Sequence, residues 1–213
     1  MTDAVAPARL GLVRRGLRLN YLTLAYNTVE AIVSIAAGLV AGSVALLGFG
    51  VDSGIEVTAS VAAQWRLRAD LEPLRRERVE HITRRVVGVC FLVLAVYVAV
   101  DSATTLWKRR PPEPSTVGLL ILTLSVVVMP ILAHTKRRVA RALQCRALEA
   151  EAAQTSLCAY LSVIALAGVG LNAAFGWWWA DPLAALLMIP IIVREGVEGV
   201  RGDSCAHERG AVR

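Results

Sequence analysis

The sequence predicts an all-α polytopic membrane protein, a bundle of six transmembrane helices with both termini cytoplasmic. Three observations carry that prediction. Hydrophobic residues make up 56% of the chain and the mean hydropathy is +0.56, beyond what a soluble domain carries. Apolar stretches close to the roughly 20 residues needed to cross a hydrocarbon core recur along the sequence. Lys and Arg are also divided very unequally between alternate connections.

The first span, 19–41, follows a tail containing Arg9, Arg14, Arg15 and Arg18 and stops at Ala41-Gly-Ser43. The second, 44–65, holds two acids in an apolar setting, and seven Arg from Arg66 to Arg85 lie around the connection to the third, 84–106. Pro111-Pro-Glu-Pro114 breaks the chain before the fourth, 116–135, since proline cannot continue a helix. A basic connection with Lys136, Arg137, Arg138, Arg141 and Arg146 leads to the fifth, 153–175, and Gly176 precedes the sixth, 178–200. The expected organisation is a tail (1–18), one membrane domain (19–200) and a short tail (201–213).

Of 23 Lys and Arg, 20 fall on the side of the two termini and only Lys108, Arg109 and Arg110 on the other. Such a bias places the basic side in the cytoplasm. It also accounts for the net charge of +6 without nucleic acid as a partner. No cleavable signal peptide is expected, since the first apolar tract is too long and lacks a small-residue cleavage site. Cys90 and Cys158 fall in spans and Cys145 and Cys205 on the reducing side, so no disulfide is expected. Localisation is expected to be the cell membrane.

The chemistry lies in polar residues within spans. Helix one carries Asn20, Asn27 and Glu30; helix three ends near Asp101; the approach to helix five holds Glu149, Glu151, Gln154, Thr155 and Cys158; Asn172 and Asp181-Pro182 lie near the other end. Asp52 and Glu56 stand one turn apart on helix two, with Ser53 and Ser60 nearby. An acid at bilayer depth costs from about 2.5 to over 10 kcal/mol, so a pair there signals a ligand. Two carboxylates on one face suit a divalent cation once another helix adds ligands. Without metal, burial and like charge both favour a protonated carboxyl, so metal and protons compete for the same oxygens. Gly48, Gly50 and Gly54 flank the pair, and Gly50-x-x-x-Gly54 permits close helix approach.

Two stretches, Gly42-Ser-Val-Ala-Leu-Leu-Gly-Phe-Gly-Val-Asp-Ser-Gly-Ile-Glu56 and Gly176-Trp-Trp-Trp-Ala-Asp-Pro182, resemble the cation diffusion facilitator (cation efflux) family. The likeness is to its short branch without the cytoplasmic C-terminal domain, related to a vesicular zinc-binding transmembrane protein. The resemblance implies a homodimer that carries zinc or a similar ion outward through the bilayer by alternating access, in exchange for protons. It places Asp52 and Glu56 at the helix-two ligand positions. Where the family carries His-x-x-x-Asp on helix five, gap-free counting gives Thr155 and Ala159, and a shift of one turn gives Glu151 and Thr155. Glu151, Thr155, Cys158 and Glu30 are the candidates to complete the site.

Cys205-Ala-His207-Glu208 is a short potential metal-binding cluster. Trp177-Trp-Trp179, Trp65 and Trp107 read as an interfacial aromatic belt, and the Arg runs as topology signals and anionic-lipid contacts. No Ser/His/Asp set, His-based metal motif or phosphate-binding glycine loop suggests an enzyme, and no prosthetic group is expected. Two functions remain open: a divalent-cation exporter, or a membrane-embedded metal-binding or scaffold protein that does not turn over.

Overall fold

A computed structural model describes residues 5–68, 73–143 and 146–201. They form six helices: α1 (Val5–Ala41), α2 (Val44–Arg68), α3 (Pro73–Lys108), α4 (Thr116–Leu143), α5 (Arg146–Phe175) and α6 (Ala180–Arg201). Four of them contain segments long and apolar enough to cross a membrane: Arg14–Ala41, Arg85–Lys108, Thr116–Ala142 and Glu151–Phe175. The protein is an integral multi-pass membrane protein.

Helix ends follow from local chemistry. α1 stops because Gly42 adopts a left-handed φ of 64°, which a residue without Cβ takes freely, and Ser43 N–H then bonds back to Gly38 C=O at 3.0 Å. Ser43 next caps α2, its hydroxyl accepting from Leu46 N–H at 3.1 Å. Ser115 does the same for α4 through Gly118 N–H at 3.0 Å. α1 reaches back to Val5, through what the sequence suggests is a tail, and α4 runs on to Leu143, well past 135. Hydropathy marks only the hydrocarbon-spanning part, whereas the backbone hydrogen bonding of a helix continues into the headgroup region, where Arg side chains are at home.

α1, α2, α4 and α5 close into a four-helix ring, each packing on two of the others, and the α3–α6 pair leans on α2 and α5. α2 touches the most helices, and every residue from Ser43 to Gly50 is buried. The core clusters around Leu46, Phe49, Val98, Leu122, Leu161 and Met188. Polarity is inverted relative to a soluble bundle. On α1, Asn20, Thr23, Asn27, Glu30 and Ser34 recur every three or four residues and are buried, while Leu22, Val29, Ile32 and Leu39 are exposed. An apolar exterior around a polar stripe is what lipid as solvent demands.

The α1–α2 contact explains the glycine pattern. A Cβ at Gly50 would stand 2.8 Å from Ile35 N and 3.0 Å from Ser34 Cβ, whereas one at Gly54 would meet only Ala31 Cβ at 4.0 Å. Gly50 thus lets the two backbones touch, and that approach brings Glu30 against α2. Gly50→Leu is expected to force the helices apart at a cost of about 1–3 kcal/mol. The check is thermal melting of the purified protein in detergent, with a lower midpoint expected.

Candidate functional site

α2 supplies Asp52 and Glu56 to the interior, one turn apart, and both are buried. Opposite them on α1 stands Glu30, fully buried, whose Oε2 accepts a 2.8 Å hydrogen bond from Ser53 Oγ. α5 closes the group. Cys158 Sγ lies 3.8 Å from Glu30 Oε2 and also faces Asp52 and Glu56. Thr155 Oγ1 lies 3.0 Å from Glu56 Oε1 and 2.9 Å from the Glu151 carbonyl oxygen, so its single proton serves one or the other.

Each candidate residue therefore has a place. Glu30, Asp52, Glu56, Thr155 and Cys158 come together from α1, α2 and α5. Glu151 points elsewhere: its Oε2 is 3.8 Å from Lys136 Nζ. Thr155, which both registers share, lies against Glu56, while Glu151 turns to Lys136 and Ala159 is buried in the core. Among the described residues no three His, Cys, Asp or Glu side chains converge as a ready-made ligand shell. The acids are neighbours with spare capacity: Glu30 Oε1 and both polar atoms of Asn27 are buried without a hydrogen-bond partner. Each carries a desolvation cost, and at the two oxygens, Glu30 Oε1 and Asn27 Oδ1, a bound cation would relieve it.

Two residues were invisible to sequence reasoning as site residues. Lys136, assigned to a basic loop, lies within α4, and its side chain is fully buried with Nζ 3.4 Å from Thr155 Oγ1. The signal was available in the helical phase. Leu122, Ser125, Met129, Ala133 and Lys136 repeat at spacings of three or four and are all buried, while Arg137, Arg138 and Arg141 fall on the exposed side. Glu195 of α6 is the other, lining a cleft with Asp52, Glu56, Phe91, Gln154 and Cys158. No comparable signal marks it, because it lies among charged residues at the end of a span.

The remaining polar residues serve the frame. Asp181 and Ser43 join α6 to the start of α2 at 2.5 Å, and Asn172 Nδ2 donates to Pro112 C=O at 2.9 Å. Tyr97 donates to Asp101 at 3.3 Å on the exposed face of α3. Trp177 and Trp179 stack with centroids 5.3 Å apart, and both are substantially exposed, as is Trp107, in keeping with an interfacial belt. Cys90 and Cys158 are free. Cys145 and the Cys205, His207 and Glu208 cluster lie outside the described residues, and the Trp65 side chain is also not described.

Acids sealed inside helices whose outer surfaces are apolar define a membrane-embedded domain for handling cations. Comparison with known proteins makes the class specific. The chain belongs to the cation efflux family: the family's cation efflux transmembrane domain matches residues 21–201. The family consists of transporters rather than enzymes. A curated relative, an uncharacterized transporter of Synechocystis sp., is 25% identical over 160 residues, 72% of this chain and 52% of the relative. The chain thus spans about half the length of that relative.

Proposed function

We propose that this chain is a secondary transporter that exports a divalent cation, zinc foremost, from the cytoplasm in exchange for protons. The observation that carries the reading is the burial of Glu30, Asp52 and Glu56, from two helices, around Cys158 from a third. Ionised carboxylates are acceptors only and suit a hard or borderline cation, and a cysteine sulfur biases the set toward zinc. Thr155 takes the place of a stronger helix-five ligand. It contributes a neutral oxygen and holds Glu56 by its hydroxyl.

Exchange follows from the chemistry. A carboxyl that takes up a proton loses metal affinity, so a site opened to a proton-rich side releases its ion and returns protonated. The cleft bounded by Glu195 and Gln154 is the access route on the side of the termini, which the Lys and Arg bias assigns to the cytoplasm. The functional unit in this reading is a homodimer in the cell membrane. The absence of a converged ligand shell among the described residues favours one second reading, a membrane protein that binds metal without moving it.

Zinc uptake into inside-out proteoliposomes, read with an internal metal-sensitive dye, tests the proposal. Wild type is expected to show saturable uptake that increases when the lumen is made more acidic than the bath, and Asp52→Asn/Glu56→Gln to show none. Zinc binding without gradient-sensitive uptake would establish the second reading instead. At equilibrium, zinc affinity is expected to fall as pH is lowered, because protons and metal share the same oxygens.

A further inference from the structure

We propose that Lys136 is a tethered cation that competes with the metal for Glu56 and shifts its charge to Glu151 when the metal binds, thereby setting the site's affinity. The inference rests on the reading of Glu30, Asp52 and Glu56 as the cation site. It goes beyond that reading by assigning a role to a residue outside the ligand set.

A lysine ammonium fully buried in a membrane helix is expensive and persists only with partners. Lys136 has two within reach. Glu151 Oε2 lies 3.8 Å from Nζ. Nζ also lies 3.4 Å from Thr155 Oγ1, and that hydroxyl reaches Glu56 Oε1 at 3.0 Å. The four-carbon stem is flexible and ends in a compact point charge, so a small rotation transfers it between neighbours.

The charge balance explains why a cation would be placed there. Without metal, an ammonium one hydroxyl away from Glu56 offsets one of the three acid charges. It also opposes the incoming ion, since two cations near one carboxylate repel in a medium of low dielectric. Glu151 resolves the conflict. It stands one turn before Thr155 on α5 and holds a carboxylate 3.8 Å from Nζ to which Lys136 can withdraw. The metal would then take Glu56 while the ammonium stays paired.

Charge pairs at such distances couple strongly, so neutralising either member should change affinity by about tenfold or more. The two substitutions act in opposite directions. Lys136→Met removes the competitor and should tighten zinc binding about tenfold. Glu151→Gln removes the alternative partner, holds the ammonium on Glu56 and should weaken binding by a similar factor. In the double variant Lys136→Met/Glu151→Gln, the second change should have little effect, because no ammonium remains to be moved.

The experiment is isothermal titration of zinc into the purified full chain in detergent for wild type and these three variants, with Asp52→Asn/Glu56→Gln as the binding-null control. Lys136→Gln provides a second neutral variant that can still hydrogen-bond to Thr155, should the methionine protein not fold. Opposite signs for the two single variants, with the Glu151 effect lost in the double, would establish the tethered cation. Unchanged or weaker binding in both Lys136 variants overturns it, and a Glu151→Gln loss of equal size in both backgrounds makes Glu151 a direct ligand and also overturns it. No zinc binding by any protein overturns both this inference and the transport reading, whereas binding that ignores Lys136 overturns this inference alone.

Discussion

Asp52→Asn is expected to fold, to melt above the wild type in metal-free buffer, and to gain no stability from zinc. The argument begins from burial. Asp52 is 5% exposed, within electrostatic reach of both Glu56 and Glu30. An acid in that position costs at least about 2.5 kcal/mol at bilayer depth, and asparagine keeps its shape without the charge. Natural proteins accept such costs at functional sites, where stability is exchanged for activity. Wild-type protein should recover the loss on binding metal, by about 2.7 kcal/mol at a hundred times the dissociation constant. Intrinsic tryptophan fluorescence melts with and without zinc read both effects, and a zinc-induced shift that survives in Asp52→Asn removes Asp52 from the ligand set.

Glu56→Gln makes the comparison sharper, since the same loss of charge should have the opposite effect on stability. Its carboxylate offsets the buried Lys136 through Thr155. Glu151 stays within 3.8 Å of the ammonium, so the loss should be smaller than the about 3–5 kcal/mol of a buried pair broken outright; this variant should still melt lower, and it too should fail to respond to zinc. Ser53→Ala, which removes the 2.8 Å hydrogen bond that orients Glu30 along with the hydroxyl's alternative 3.1 Å bond to Phe49 C=O, should weaken zinc binding by about 10–100-fold without abolishing it.

The parts of this molecule legible in the sequence are those for which lipid is the solvent. Six apolar stretches and two acids within one of them are signals of length and composition, and they need no tertiary information. Helix ends were less legible, because hydropathy stops at the first arginine while α1 and α4 continue as helix. Lys136 is obscured for the same reason: by sign it belongs with Arg137 and Arg138 in a basic connection, although its phase on α4 puts it on the buried face. Which helix-five residue meets the acids is not readable from spacing alone, because the contact of Thr155 with Glu56 joins residues 99 apart in the chain. Glu195 became visible only when α6 packed beside α2 and α5.

Asp181→Ala is expected to be the most destabilising single change in the bundle, and its effect should reach the cation site without touching it. Asp181 is 1% exposed at the start of α6 and grips the start of α2 with both oxygens. Ser43 Oγ donates to Oδ1 at 2.5 Å and Val44 N–H to Oδ2 at 2.9 Å, while Ser43 also caps Leu46 N–H. A carboxylate here satisfies donors that the first turn of any helix leaves open, at the positive end of its dipole. Alanine strands two buried donors at about 1–3 kcal/mol each. Asp52 lies eight residues beyond Val44, about 12 Å along the same helix, so releasing this anchor frees α2 to slide or tilt and disperses the acids. Asp181→Asn keeps one acceptor oxygen and should fall between alanine and wild type. The measurement is a paired one, melting temperature and zinc affinity on the same preparations, with both expected to fall together. If Asp181 instead held the transported ion, its alanine variant would lose zinc while keeping its melting temperature, and the cap would have to be reassigned as a ligand.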